Sequence, residues 1–255
     1  MVPAVGGSRH GECRTTYDAC HDFAGRLMAG APTRVVVVSP HSPRQPEAFG
    51  VWRGERLRGD LGRFGAPDAG VDLPTDPEFH AALEGAAVDI DLWDIPASSP
   101  LDHGASIPLW FLAEAGWTGP TSILSLPWTF TVDRLVACGR ALRRALGAVG
   151  GAAALVASGD MSHRVLPGAP AGHHPRAIDF DRELTDLVRA GSLDRIASID
   201  GDLRELAAED AADTSIIAAA ALDYDAQGAE VLSYEHPFGV GYLVAIFHDR
   251  HGSDP

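Results

Sequence analysis

Arg34-Val-Val-Val-Val-Ser-Pro-His41 is the stretch on which the fold turns. Four consecutive β-branched residues suit an extended chain buried on both faces, as in a strand inside a parallel sheet. The run ends at Ser39-Pro-His-Ser-Pro43, because proline cannot continue a central strand. Working outward, β-rich runs alternate with helical patterns. Thr15 to Ala29 reads as a helix leading into the tetravaline strand, and Thr121–Leu126 as a second buried strand. Thr131 to Val149 is the clearest helix. Its Val132, Leu135, Val136, Leu142, Leu146 and Val149 share one face, while Arg140, Arg143 and Arg144 point elsewhere. Ala152–Ala157 is a third strand, stopping at Ser158-Gly-Asp-Met-Ser-His163. Further helices are expected near Glu78–Gly85, near Ser106–Ala115, over Ala177–Ala190 and over Thr214–Tyr224. Final strands are expected at Ala229–Tyr234 and Gly241–Phe247, while Gly50 to Pro77 reads as hairpins or loops. The alternation predicts an α/β fold: one domain over 1–255 with a mostly parallel central sheet and helices on both faces.

Composition narrows the function. The 255 residues include 45% hydrophobic and 22% charged side chains, an ordinary globular balance. Asp and Glu total 35 against 20 basic residues, every one of them Arg, for a formal charge of −15. The chain has neither Lys nor Asn. That excludes Schiff-base lysines, P-loop and kinase lysines, and N-glycosylation. So acidic a chain is a poor binder of nucleic-acid backbones. Cys13, Cys20 and Cys138 are widely spaced and form no CxxC, so neither a disulfide framework nor a zinc knuckle is expected. The first residues lack a charged-then-apolar leader pattern, and no apolar run approaches the ~20 residues of a membrane span. A cytoplasmic protein is expected.

Ligands of open α/β sheets bind beyond the carboxyl ends of the strands. His41 and His163 each follow a strand there, and His103 lies in the polar turn Leu101-Asp-His-Gly104 ahead of a helix. Each alone reads as an ordinary loop histidine. Three together point to a metal or acid–base site, since imidazole is both a proton shuttle and a common metal ligand. The remaining histidines carry less signal: His173 and His174 in a Pro/Gly loop, His248 and His251 in a polar tail, His80 on a surface helix, and His10 and His21 without HExxH spacing. Glu209-Asp210 precedes the Thr214 helix, where a solvated carboxylate pair is favoured by the helix dipole. Ser158 and Ser162 flank a glycine turn without the Gly-x-Ser-x-Gly of a hydrolase elbow.

Four motifs in this order carry a resemblance: Val-Val-Val-Val-Ser-Pro-His41, Leu-Asp-His103-Gly-Ala-Ser-Ile-Pro-Leu, Ser-Gly-Asp-Met-Ser-His163 and Ser233-Tyr-Glu-His-Pro-Phe-Gly-Val-Gly-Tyr242. Together they resemble the LigB-type class III extradiol dioxygenase superfamily, closest to its B-subunit-like domain in the branch associated with AMMECR and MEMO proteins. The likeness spans nearly the whole chain. It implies a non-haem Fe(II) site of two histidines and one carboxylate, open to a catechol-like substrate and dioxygen. His41 matches a metal histidine, His163 the acid–base histidine, and His103 a histidine that binds or polarises substrate. Alignment back from Ser215 puts Asp210 where the family has its metal glutamate, with Glu209 one residue away as the alternative. The family's first metal histidine belongs to an N-terminal strand with a Pro-His-Pro-Pro-like motif, whereas this chain opens Met1-Val-Pro-Ala-Val. The domain is therefore expected to lack that strand and that histidine.

The resemblance thus implies extradiol cleavage of an aromatic diol, with Fe(II) as cofactor and Zn(II) or no metal as alternatives. Its implied partners are a small aromatic substrate and dioxygen, with a homo-oligomer admitted and no nucleic acid or membrane. Two rival readings remain: a MEMO-like binding or regulatory protein with a degraded metal site, and a zinc or iron hydrolase.

Overall fold

The computed structural model describes residues 1–249. Short helix α1 (Pro3–Gly6), a 3-10 turn (Gly7–Cys13) and α2 (Arg14–Ala29) precede β1 (Arg34–Ser39). There follow β2 (Phe49–Trp52), the hairpin β3 (Arg56–Leu61) and β4 (Ala66–Pro74), α3 (Pro77–Ala86), β5 (Leu92–Ile95) and α4 (His103–Glu114). Next come β6 (Thr121–Ser125), α5 (Val132–Val149) and β7 (Ala153–Ala157). The chain continues through α6 (Ala177–Arg189), a 3-10 turn (Leu193–Ser198), α7 (Gly201–Ala207) and α8 (Ala211–Ala221), then β8 (Glu230–Glu235) and β9 (Tyr242–Ile246).

The tetravaline run is the middle of the architecture. The five-stranded sheet has the order β5-β2-β6-β1-β7. Val37 of β1 lies opposite Ile123 on one side and Val156 on the other, both pairings parallel. All four valines are fully buried. Side chains alternate across a strand, so Val36 and Val38 enter the layer built with α3, α5, α6 and α8. Val35 and Val37 enter the opposite layer, built with α2, α4 and the β3–β4 hairpin. Burying each valine stabilises the fold by roughly 1.5–3 kcal/mol.

Three details depart from the expectation. β2 and β5 belong to the main sheet, and β2 runs antiparallel to β6. Each is only four residues long, too short to show a period; β2 opens the stretch read as hairpins or loops, and β5 follows α3, ending just before Pro96. β8 and β9 pair antiparallel with each other as a separate two-stranded sheet. Finally, His80 is no surface residue: it is buried, with Nε2 3.0 Å from Ser122 Oγ. Burial pushes its pKa down to about 4, so it is a neutral core imidazole. Among the described residues no helix is long and apolar enough to cross a membrane.

Candidate metal and proton-transfer site

The carboxyl ends of β6, β1 and β7 lie at one edge of the sheet, because the three strands are parallel. Ser39, the fully buried last residue of β1, organises the loop beyond it. Its Oγ donates to Asp102 Oδ1 at 2.7 Å and accepts the His41 N–H at 3.3 Å. Ser42 Oγ donates to the other oxygen of Asp102. Asp102 also caps α4, accepting from Ala105 N at 3.1 Å. One carboxylate thereby ties the His41 loop to the helix that starts at His103. The imidazoles of His41 and His103 stack at 4.2 Å between centroids. That approach requires Gly104: a Cβ there would meet Ser39 Oγ at 2.6 Å and His41 Cδ2 at 3.0 Å.

The loop after β7 supplies the other half. Gly159 packs so closely on Asp210 and Ala211 backbone that a Cβ would come within 2.7 Å of both. Asp160 N donates to Asp210 Oδ1 at 2.6 Å, and Asp210 Oδ2 lies 3.3 Å from His41 Nε2. His163 Nε2 is 3.5 Å from Asp160 Oδ2, and its Nδ1 is 2.7 Å from the Ala208 carbonyl oxygen. A carbonyl has no hydrogen to give, so Nδ1 is the donor and Nε2 is the atom free to take up or release a proton. Phe64, from the turn between β3 and β4, meets the His103 ring edge-on at 5.4 Å.

Electrostatics divide the two outer histidines. Burial holds the His103 pKa below the ordinary imidazole value, and the neighbouring His41 pushes the same way. His103 is therefore the neutral ring. Donating a hydrogen bond to the Asp160 carboxylate raises the His163 pKa despite burial, so His163 holds its proton to higher pH. Burial raises the Asp210 carboxyl above its usual range, against the favourable pull of His41. Burial, and secondarily the charge of Asp160, lift the Tyr242 phenol to about 12, so it stays a proton donor at neutral pH.

His41, His103 and Asp160 offer ligand atoms that all lie within 4.8 Å of one another. Two imidazoles with a carboxylate are a donor set suited to a divalent non-haem metal. Asp210, on His41, adds a second carboxylate at the same place. The structure also separates the paired acids. Glu209 is turned away, with Oε1 2.6 Å from Arg204 and Oε2 accepting from Ala212 N at 2.7 Å. Thus His41, His103, His163 and Asp210 converge, while Glu209 serves the fold. Asp160 was overlooked as an individual site residue, although it stands inside a motif quoted from the sequence. His248 is largely buried, 3.6 Å from Asp225, and His251 lies outside the described residues. A surface hollow of about 660 Å³ lies along β3–β4 and residues 97–100. Its Arg56 and Arg58 are already paired with Asp72, and none of the clustered histidines lines it.

Residues 1–245 match the family of the catalytic LigB subunit of aromatic ring-opening dioxygenase. The chain belongs to that family. Among its relatives, Protein CA_C1420 of Clostridium acetobutylicum is 26% identical, over 96% of this chain and 54% of its own length. The chain thus spans about half the length of that relative. The crystal structure of uncharacterized protein JW3007 from Escherichia coli K12 shares the fold. It superposes with a TM-score of 0.61 at 19% identity, covering 86% of this chain and 89% of that one. LigB-family enzymes typically depend on a non-haem metal, and the His41 cluster has the side chains to hold one.

Proposed function

We propose that this LigB-family chain is a non-haem Fe(II)-dependent extradiol dioxygenase that opens the ring of a catechol-like aromatic. The observation that carries this reading is the meeting of His41, His103, Asp160 and Asp210 at the carboxyl ends of the strands. In this reading His41 and Asp210 hold the metal, with Asp160 as a further carboxylate in reach. A bound ferrous ion supplies Lewis acidity and a common meeting point for diol and dioxygen. His163 serves as acid–base residue at Nε2, its ring fixed by the Ala208 carbonyl and its proton affinity raised by Asp160. His103, neutral and stacked on His41, orients the substrate by accepting or donating a single hydrogen bond without adding charge. Phe64 contributes an apolar wall beside it.

One observation favours a second reading, a MEMO-like binding or regulatory protein that keeps the pocket without catalysis. Asp210 is already engaged by His41 and the Asp160 N–H. Anaerobic loading with Fe(II), metal analysis and oxygen uptake over a panel of catechols test the choice. The dioxygenase reading expects about one iron per chain and diol-dependent oxygen uptake with a ring-opened chromophore. A chain that retains no iron supports the second reading. Iron retained without oxygen uptake on any diol overturns ring cleavage.

A further inference from the structure

Asp181 of α6 is fully buried, and the ring-cleavage reading gives it no part. Its oxygens accept from Ser162 N at 2.7 Å and from Tyr234 Oη at 2.6 Å. Neither donor carries a charge. Burial lifts the carboxyl to about 6, so at neutral pH the group is still a carboxylate. A buried charge held by two neutral donors is costly, and an apolar side chain would fill the same space without that cost. The position of its donors shows what the carboxylate can do: Ser162 is the residue before His163.

The His163 loop is gripped from two sides. On the Asp181 side, Met161 N donates to Gly241 O at 3.2 Å and Gly241 N to Ser162 O at 2.8 Å. Gly241 lies so close to the carboxylate that a Cβ there would collide with Asp181 Oδ2. On the other side, the end of α7 turns three successive carbonyls toward the loop. Arg164 Nη1 donates to Leu206 O at 3.2 Å. Ser162 Oγ and His163 N donate to Ala207 O at 3.1 and 3.0 Å, and His163 Nδ1 to Ala208 O at 2.7 Å. Ala208 presents its carbonyl from φ 54° and ψ 45°, a left-handed conformation that a residue with a Cβ rarely adopts. Such a conformation persists where its surroundings hold it. Asp160 and Asp210 are tied to each other separately, Asp160 N to Asp210 Oδ1 at 2.6 Å and Asp210 N to Asp160 O at 3.1 Å. The carboxylates of the cluster therefore do not hang on Ser162.

We propose that Asp181 is a positioning residue for His163: by holding the Ser162 N–H it keeps the loop against the end of α7, with the imidazole on Ala208 and Nε2 toward Asp160. Without the carboxylate, Ser162 N and Tyr234 Oη become buried donors lacking a partner. Ser162 then moves to regain one, and the adjoining ring moves with it. What His163 does with Nε2 rests on the ring-cleavage reading; the placing of the ring does not.

The test reads the His163 ring directly, by nitrogen-15 NMR of the metal-free full chain at a pH above its titration. The signal is assigned by difference from His163→Gln, and thermal unfolding checks that each variant folds. The parent is expected to show one tautomer, protonated at Nδ1, and a Ser162 amide slow to exchange with deuterium. Asp181→Asn keeps an oxygen for Ser162 and should retain that tautomer, whereas Asp181→Ala should give a mixture of both. Anaerobic Fe(II) affinity should be unchanged in the two variants. For a diol that is turned over, Asp181→Ala should lower kcat by roughly 10–100-fold with KM little altered, and Asp181→Asn should restore most of it. A folded Asp181→Ala chain with the parent's single tautomer overturns the proposal. Fe(II) affinity lost together with the tautomer marks collapse of the whole site and overturns it too. A parent chain that already samples both tautomers, or whose Ser162 amide exchanges freely, overturns it even if Asp181→Ala does not fold. If no diol is turned over, ring cleavage fails separately, and the ring spectra still decide for Asp181.

Discussion

Glu209 and Asp210 are adjacent acids to which the structure gives opposite work, and exchanging each for its amide separates them. Glu209 is 1% exposed at its side chain, 2.6 Å from Arg204 and capping Ala212 N. The amide of Glu209→Gln offers a single oxygen for two donors and brings a new N–H beside a guanidinium. Breaking a buried ion pair costs about 3–5 kcal/mol. Arg204 keeps Asp213 and is itself 22% exposed, so a loss of about 2–3 kcal/mol is expected. At about 2–4 °C per kcal/mol for a chain of this size, the melting temperature falls by roughly 4–12 °C. Metal affinity should stay near the parent value, because no Glu209 oxygen faces the histidines. Asp210→Asn is the converse case. Its amide oxygen still accepts the Asp160 N–H, and the charge removed is one that burial already disfavours. Stability should change by less than about 1 kcal/mol. Fe(II) affinity should drop by at least on the order of 100-fold, more than the loss of an outer partner costs. Urea denaturation and anaerobic metal titration on both variants provide the readings. A Glu209→Gln chain that is fully stable but cannot hold iron would refute the division of labour.

Other outcomes follow from the same geometry. His163→Ala should keep its metal while turnover of an accepted diol falls by roughly 10²–10⁴-fold; His41→Ala should lose metal and turnover together, and metal loss from the His163 variant would reverse the two roles. Asp181 is buried and accepts from Ser162 N at 2.7 Å and Tyr234 Oη at 2.6 Å, with burial raising its carboxyl to about 6. The folded chain thus holds a proton there that the unfolded chain, titrating at 3.8, releases earlier. That contribution to stability is lost as pH rises from about 4 to 6, so unfolding of Asp181→Asn should show a flatter pH dependence across that window. Gly104→Ala should destabilise by about 1–3 kcal/mol through overpacking, less the modest gain of alanine in a helix. It should also weaken Fe(II) binding by displacing His41; unchanged affinity and melting temperature would show that the close approach of Ser39, Asp102 and His41 is not needed.

The tetravaline strand and the helix over Thr131–Val149 were legible in the sequence, because burial on two faces and burial on one stripe leave different periodicities. So were the positions of His41, His103 and His163 at the ends of elements, and the four motifs that led to the LigB family. Short strands such as β2 and β5 were not, since four residues carry no period and their stability comes from neighbours distant in the chain. The sequence by itself therefore determined the layered α/β architecture and which histidines stand at the ends of its elements. Only the tertiary structure decided which of two adjacent acids faces the cluster, that Asp160 joins it and that His80 is core. Those outcomes depend on contacts between loops that follow different strands. Adjacent residues project in different directions: Asp210 meets Asp160, 50 positions away, while Glu209 turns to Arg204 and Ala212 in its own segment.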